Sequence, residues 1–300
     1  VLRTIQGAGV QDACDEGVII SSSGIATGTV NAVAVDPATS RVYWAVQGTT
    51  SRIQYASLSG GSSTNLPVAA TVRNPTSLAI DSNAGKLYWA EADQSAIRGI
   101  YRANLNGTSV EAIVSGAQVQ FPRSIALDTE QGKIYWVDLT AKKIRRANLN
   151  GTGVEDVLTN LSFPYALALD TNNDQVYWTD VGLGSIQRAQ TNGSNVETIV
   201  TGQPSPLAIA IDGSSSRVYW SETASDVIRR ASLNGSGVES FLTGYPNVTS
   251  LVITPSDNAV TDVLGDCDGS GATNLMDVSC LVDALLGNAG VPPGGDCDPT

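Results

Sequence analysis

Short alternating apolar runs recur along most of the chain, and each closes on an acid: AVAVD at residues 32–36, LAID at 78–81, IALD at 125–128, LALD at 167–170 and IAID at 209–212. A second run follows each of them and carries an aromatic pair, with its tyrosine at 43, 88, 135, 177 and 219. A third reads Ile-x-Arg-Ala, as at Ile144–Ala147, and a fourth reads like VEDVL or VETIV. Period-2 segments rich in β-branched and aromatic residues and separated by Gly, Asn and Ser are strands. Between the third and fourth run stands Asn-Gly, at 106–107, 150–151, 192–193 and 234–235. That dipeptide signals a hairpin, because both residues tolerate positive φ. The tyrosines recur at steps of 42 to 47 residues, which is the spacing of propeller blades or of helical solenoids, and the strand pattern selects the propeller. Each unit then is a four-stranded antiparallel sheet whose faces are covered only when blades stack around an axis.

The repeated unit resembles the YWTD repeat, the class B repeat of low-density lipoprotein receptors; Tyr177-Trp178-Thr179-Asp180 matches all four letters. The resemblance runs over about residues 1–264 and implies a six-bladed β-propeller that recognises proteins. Only five aromatic pairs are present, so the sixth blade is expected to be shared between the two ends. LVITPSDNAVTDV, residues 251–263, aligns with the first two strands of a unit, with Thr254 in place of the acid and Thr261-Asp262 in place of Tyr-Trp. VLRTIQGAGV, residues 1–10, aligns with the outer strands.

The aromatic strands also carry charge. Trp136 and Asp138, two apart, share one face of a strand, and Arg146 follows on the next strand. Glu91 with Arg102, Asp180 with Arg188 and Glu222 with Arg230 repeat the couple, while Val46 and Tyr55 replace both members in the first unit and Leu264 stands against Arg3 in the sixth. Joint presence and joint loss read as a structural cross-strand ion pair rather than a catalytic cluster, and the Tyr-Trp pairs read as packing between blades. The acids that no other unit matches, Asp93 and Asp226, read as loop residues.

Beyond residue 264 the pattern changes. GDCDGSGATNLMD places Asp266, Asp268, Ser270, Asn274 and Asp277 at positions 1, 3, 5, 9 and 12 of a twelve-residue calcium loop, with Gly271 at the position 6 turn and the Ala272 carbonyl at position 7. Oxygen ligands at alternate positions of a tight loop can wrap one Ca2+, and the apolar pattern DVSCLVDALLG that follows is a helix. Asp at position 12 and the absence of a preceding helix resemble a dockerin repeat, which implies a cohesin-like partner; a second repeat restarts at Asp296 and Asp298 without completing. Residues 265–300 are therefore read as a small calcium-binding module, against the plainer alternative of an acidic, turn-rich tail. Cysteines at 14, 267, 280 and 297 fit no zinc spacing and favour disulfides in an oxidising compartment. One pair is expected among Cys267, Cys280 and Cys297, with Cys14 joined to the third or left free.

Composition narrows the chemistry. The 300 residues contain no histidine, which removes Ser-His-Asp and Cys-His catalysis and the commonest zinc ligand. A net charge of −12 opposes nucleic acid and anionic lipid. The apolar runs fall short of the roughly 20 residues that a membrane-spanning helix needs. The chain opens on Val1 without a leader, which reads as a mature or trimmed product and permits export. Six Asn-x-Ser/Thr sequons occur, at Asn106, Asn150, Asn160, Asn192, Asn234 and Asn247, four of them at the Asn-Gly turns. These readings converge on a monomeric, extracellular binding or scaffold protein, not an enzyme, that presents a propeller face to a protein or glycan. The alternative is a propeller enzyme using carboxylates alone on a polysaccharide or lactone, and its mark would be an unmatched acid pointing into the central channel. A third reading is a structural repeat domain of a larger surface protein.

Overall fold

The computed structural model describes residues 2–4, 28–57, 62–93, 97–243 and 248–253. The first blade contains β2 (Gly28–Asp36), β3 (Arg41–Gly48), β4 (Arg52–Ser57) and β5 (Thr64–Asn65); β1 (Leu2–Thr4) precedes it in the chain. The second contains β6 (Pro75–Asp81), β7 (Lys86–Glu91), β8 (Gly99–Asn104) and β9 (Glu111–Ser115). The third contains β10 (Pro122–Asp128), β11 (Lys133–Asp138), β12 (Lys143–Asn148) and β13 (Glu155–Leu158), and the fourth β14 (Pro164–Asp170), β15 (Gln175–Asp180), β16 (Ser185–Gln190) and β17 (Glu197–Val200). The fifth contains β18 (Pro206–Asp212), β19 (Arg217–Glu222), β20 (Val227–Ser232) and β21 (Glu239–Thr243), followed by β22 (Leu251–Ile253). Every blade is an antiparallel meander in chain order.

Five blades, not six, are present among the described residues. Where a sixth was expected, β1 and β22 form a two-stranded sheet, with Leu2 opposite Ile253 and Thr4 opposite Leu251. The expected arrangement is also corrected: β1 lies directly beside the innermost strand, the place assigned above to Thr261-Asp262, and not on the outer edge. Pairing with the short run Leu251–Ile253 satisfies that strand's backbone groups as a Tyr-Trp strand does elsewhere. β22 touches β18 on one side and β2 on the other, so the innermost strands close a ring.

The core lies between blades. Tyr43 packs in one cluster with Trp89 of the next blade, Tyr88 with Trp136, Tyr135 with Trp178, and Tyr177 with Trp220. Trp89, Trp136, Trp178 and Trp220 are fully buried. The two pair members without an aromatic-pair partner are Trp44, clustered with Val252, and Tyr219, clustered with Val248 and Leu251. They are the most exposed of their kinds, at 8% and 9%, because a short two-stranded sheet covers less area than a blade.

The Asn-Gly turns differ from the expected hairpin. Only the glycine is left-handed, at φ +83° for Gly151, and its N–H donates to the Asn148 carbonyl at 2.7 Å. Asn148 N–H in turn donates to the Thr152 carbonyl at 2.9 Å, which leaves a three-residue loop ending in a left-handed glycine. A Cβ on Gly151 would stand 1.9 Å from the Ile113 carbonyl oxygen of the preceding blade. Glycine is thus required twice, by backbone conformation and by approach of the neighbouring blade. Asn150 Oδ1 accepts from both the N–H and the hydroxyl of Thr152, at 3.1 and 2.7 Å. Asn106, Asn192 and Asn234 repeat this with Thr108, Ser194 and Ser236, so the recurring Asn-Gly-Ser/Thr is a turn built from its own side chains.

Candidate functional site

The recurring acid closes the second strand of its blade and is buried: Glu91, Asp138, Asp180 and Glu222 are 0 to 1% exposed. The expected partnership with the arginines does not form. Arg102, Arg146, Arg188 and Arg230 stand opposite Tyr88, Tyr135, Tyr177 and Tyr219 in the strand register, not opposite the acids. Each pairs instead with a glutamate on the outermost strand, as Arg146 does with Glu155 at 2.6 Å and Arg188 with Glu197 at 2.7 Å. Three of these arginines also reach the next blade, donating to the carbonyls of Leu149, Thr191 and Leu233 at 3.0 to 3.1 Å. The sequence spacing had the strands right and the partner wrong, because the register sets the arginine opposite tyrosine.

What the acids do is fasten loops. Asp180 accepts from the backbone N–H of Ser162, Phe163 and Leu183 at 3.2, 3.0 and 3.1 Å. Asp138 accepts from Gln120 and Phe121 at 2.9 and 3.0 Å, and Glu91 from Arg73 at 2.9 Å and from Asn74. Each acid thereby ties the loop entering its blade to the end of its second strand. Glu222 is held differently, by the Ser225 hydroxyl at 2.7 Å and by an ion contact with Arg229 Nε at 2.9 Å. In the first blade Val46 is buried in an apolar cluster, and the nearby Ser51 hydroxyl donates to the Arg73 carbonyl. Burial pushes the Glu91 carboxyl up to about 7, against the pull of its backbone hydrogen bonds, with Asp93 adding a smaller upward push.

A central cavity of about 90 Å3 lies where the innermost strands begin, lined by Thr76, Arg123, Tyr165 and their neighbours on those strands. A β-bulge follows the repeated proline, so that Thr76 and Arg123 are extra residues in their strands and Tyr165-Ala166 stand against one residue in the fourth blade; Thr76, Arg123 and Tyr165 are thereby re-aimed toward the axis. The serines deeper in the ring are occupied: Ser77, Ser124 and Ser250 accept the N–H groups of Ile125, Leu167 and Val33 at 3.1, 3.2 and 3.3 Å. Thr76 donates to the Pro122 carbonyl at 2.7 Å and Asn31 to the Pro75 carbonyl at 3.0 Å. Arg123 is the exception. Its guanidinium lies 4.4 Å over the Tyr165 ring and donates to the Tyr165 hydroxyl, and among the described residues no carboxylate forms an ion pair with it. No Asp or Glu lines the cavity among the described residues, and Asp93 and Asp226 are in loops after β7 and β19.

At the same end of the blade as Tyr165, on the loops before β14 and after β15, are Phe163, 42% exposed, and Leu183, 60% exposed. Asp180 Oδ1 holds the N–H of both, and the Phe163 carbonyl accepts from Val181 at 2.9 Å. Two large apolar side chains are thus displayed on loops that a buried carboxylate keeps in place, at the end of the propeller where the cavity opens. Sequence reasoning passed over them and over Arg123 and Tyr165. For Arg123 and Tyr165 the signal was available in the column after the repeated proline, where Thr76, Arg123, Tyr165 and Leu207 differ from one another. Asp266, Asp268, Ser270, Ala272, Asn274 and Asp277, all four cysteines and Leu264 lie outside the described residues.

With this geometry in hand, the chain can be set beside known proteins. Residues 85–129 and 174–212 match the family model of the low-density lipoprotein receptor repeat class B. Those segments span blades two to three and four to five. A chain of the crystal structure of a nidogen/laminin complex superposes with a TM-score of 0.70 at 20% identity, over 83% of this chain and 93% of that one. Virginiamycin B lyase from Staphylococcus aureus does so at 0.58 and 17% identity, over 83% and 78%. A luciferin-regenerating enzyme does so at 0.60 and 16%, over 75% and 79%. These likenesses establish the β-propeller fold. No curated protein matches the chain.

Proposed function

We propose that the propeller is an extracellular binding module that recognises a protein segment with the rim around Arg123, Tyr165, Phe163 and Leu183. The observation that carries this reading is that two exposed apolar side chains, on loops fastened by Asp180, stand at the same end of the propeller as an arginine stacked on a tyrosine. Arginine and aromatic residues supply most hot spots of protein interfaces, and loops held rigid before binding lose little entropy on complex formation. The class B repeat match and the propeller found in a nidogen/laminin complex support the same direction. Binding is favoured over carboxylate catalysis because Glu91, Asp138 and Asp180 are committed to backbone N–H groups, Glu222 to Ser225 and Arg229, and none of the four is in the cavity lining. The test is selection of peptides from a random display library on the immobilised full chain. Leu183→Asp is expected to weaken the selected peptides at least tenfold; binding indifferent to that change and to Phe163→Ala would place recognition elsewhere.

We also infer that residues 266–277 hold one Ca2+, on the alternation of oxygen ligands in the sequence, and that this module attaches the propeller to a cohesin-like or other surface partner. Calcium titrated into the full chain is expected to give a one-site binding isotherm that Asp268→Asn abolishes. An isotherm identical in the two proteins, or no heat in either, removes the site.

A further inference from the structure

We propose that the rim reads a carboxylate: an Asp or Glu side chain of the bound protein segment enters the cavity mouth and pairs with Arg123, while a neighbouring apolar side chain rests on Phe163 and Leu183. This rests on the protein-binding reading above and specifies its ligand. Three observations carry it. First, Arg123 has hydrogen-bond donors to spare. The serines at 77, 124 and 250 cap backbone N–H groups of the next strand, and Asn31 and Thr76 bond to carbonyls. Arg123, with five N–H donors, gives one to the Tyr165 hydroxyl.

Second, Arg123 has no counter-charge among the described residues, although the chain carries a net charge of −12. Arg102, Arg146 and Arg188, on the third strands of their blades, are by contrast each neutralised by a glutamate. An unpaired guanidinium at the mouth of a cavity lined with neutral groups is complementary to one negative charge. Its planar fork suits the two oxygens of a carboxylate. Third, Tyr165 fixes the guanidinium from one side by stacking at 4.4 Å and by accepting a hydrogen bond. The arginine is therefore positioned before the ligand arrives, and its other edge remains for the incoming group. Phe163, two residues before Tyr165, places the apolar subsite within a few residues of an extended ligand.

The experiment uses the peptides selected on the full chain, with blocked termini so that the only carboxylates are side chains. We expect an Asp or Glu common to those peptides whose exchange for Asn or Gln weakens binding at least tenfold. On Arg123→Met that exchange is expected to make little difference, so that the double-mutant cycle assigns the coupling to this pair. Tyr165→Phe, which keeps the ring and removes the acceptor, is expected to weaken the acidic peptide severalfold and is a second variant should Arg123→Met fail to fold. Peptides that bind at Leu183 without an acidic residue, or an acid whose effect survives in Arg123→Met, overturn the carboxylate assignment and leave the face intact. Failure of every peptide to depend on Leu183 or Phe163 overturns both readings. An oligo-uronate that binds through Arg123 where acidic peptides do not would make this a glycan site and refute the peptide assignment.

Discussion

Asp180→Ala is expected to lower the stability of the chain by about 3–5 kcal/mol, since it strips three backbone N–H groups of a charged acceptor in a buried setting. The carboxylate is 0% exposed, so water does not readily replace it, and a small cavity adds to the loss. Asp180→Asn, which keeps one acceptor oxygen, is expected to cost about half as much. Urea unfolding followed by tryptophan emission measures both. A change within about 0.5 kcal/mol for the alanine variant is what a surface ion pair would give, and it would contradict the role assigned here.

Stability is also expected to depend on Glu91 through pH. Its carboxyl is pushed from about 4.5 to about 7 by burial, so between those values the folded chain holds a proton that the unfolded chain has released. Folding is then favoured most by this group below pH 4.5, and its contribution declines as pH rises to 7 and levels off above. At about 1.4 kcal/mol for each pKa unit, the decline amounts to roughly 3 kcal/mol. The difference in unfolding free energy between the native chain and Glu91→Gln isolates it from Asp156 and Asp212, whose carboxyls are shifted the other way. That difference should fall across pH 4.5 to 7; a flat profile would mean that folding leaves the Glu91 carboxyl unshifted.

The blades were legible because their determinants are local and repeated. Alternation, the Tyr-Trp strand and the glycine turns specify strand, face and hairpin within some forty residues, and the repetition gives each blade an identical neighbour to pack against. The arrangement at the ring closure was less legible, since it depends on which segment pairs with Leu251–Ile253, and that partner, Leu2–Thr4, is about 250 residues away in the sequence. The acid–arginine partnership failed for a related reason. Counting residues along the chain placed Arg146 near Asp138, but the hairpin register puts it against Tyr135 and leaves Asp138 to the backbone of the entering loop. The binding rim was hidden because its residues are those that do not repeat, and a bulge, not the strand alternation, turns Arg123 and Tyr165 inward.

The role of the repeated acid as a fastener of rim loops is tested most directly by amide hydrogen exchange at Ser162, Phe163 and Leu183 in the native chain and in Asp180→Ala. In the native chain all three are expected to be protected. In the variant they should exchange at least tenfold faster, while the amides of β15 and β16 keep most of their protection. Equal exchange at those three positions in both proteins would show that the carboxylate does not hold the loops.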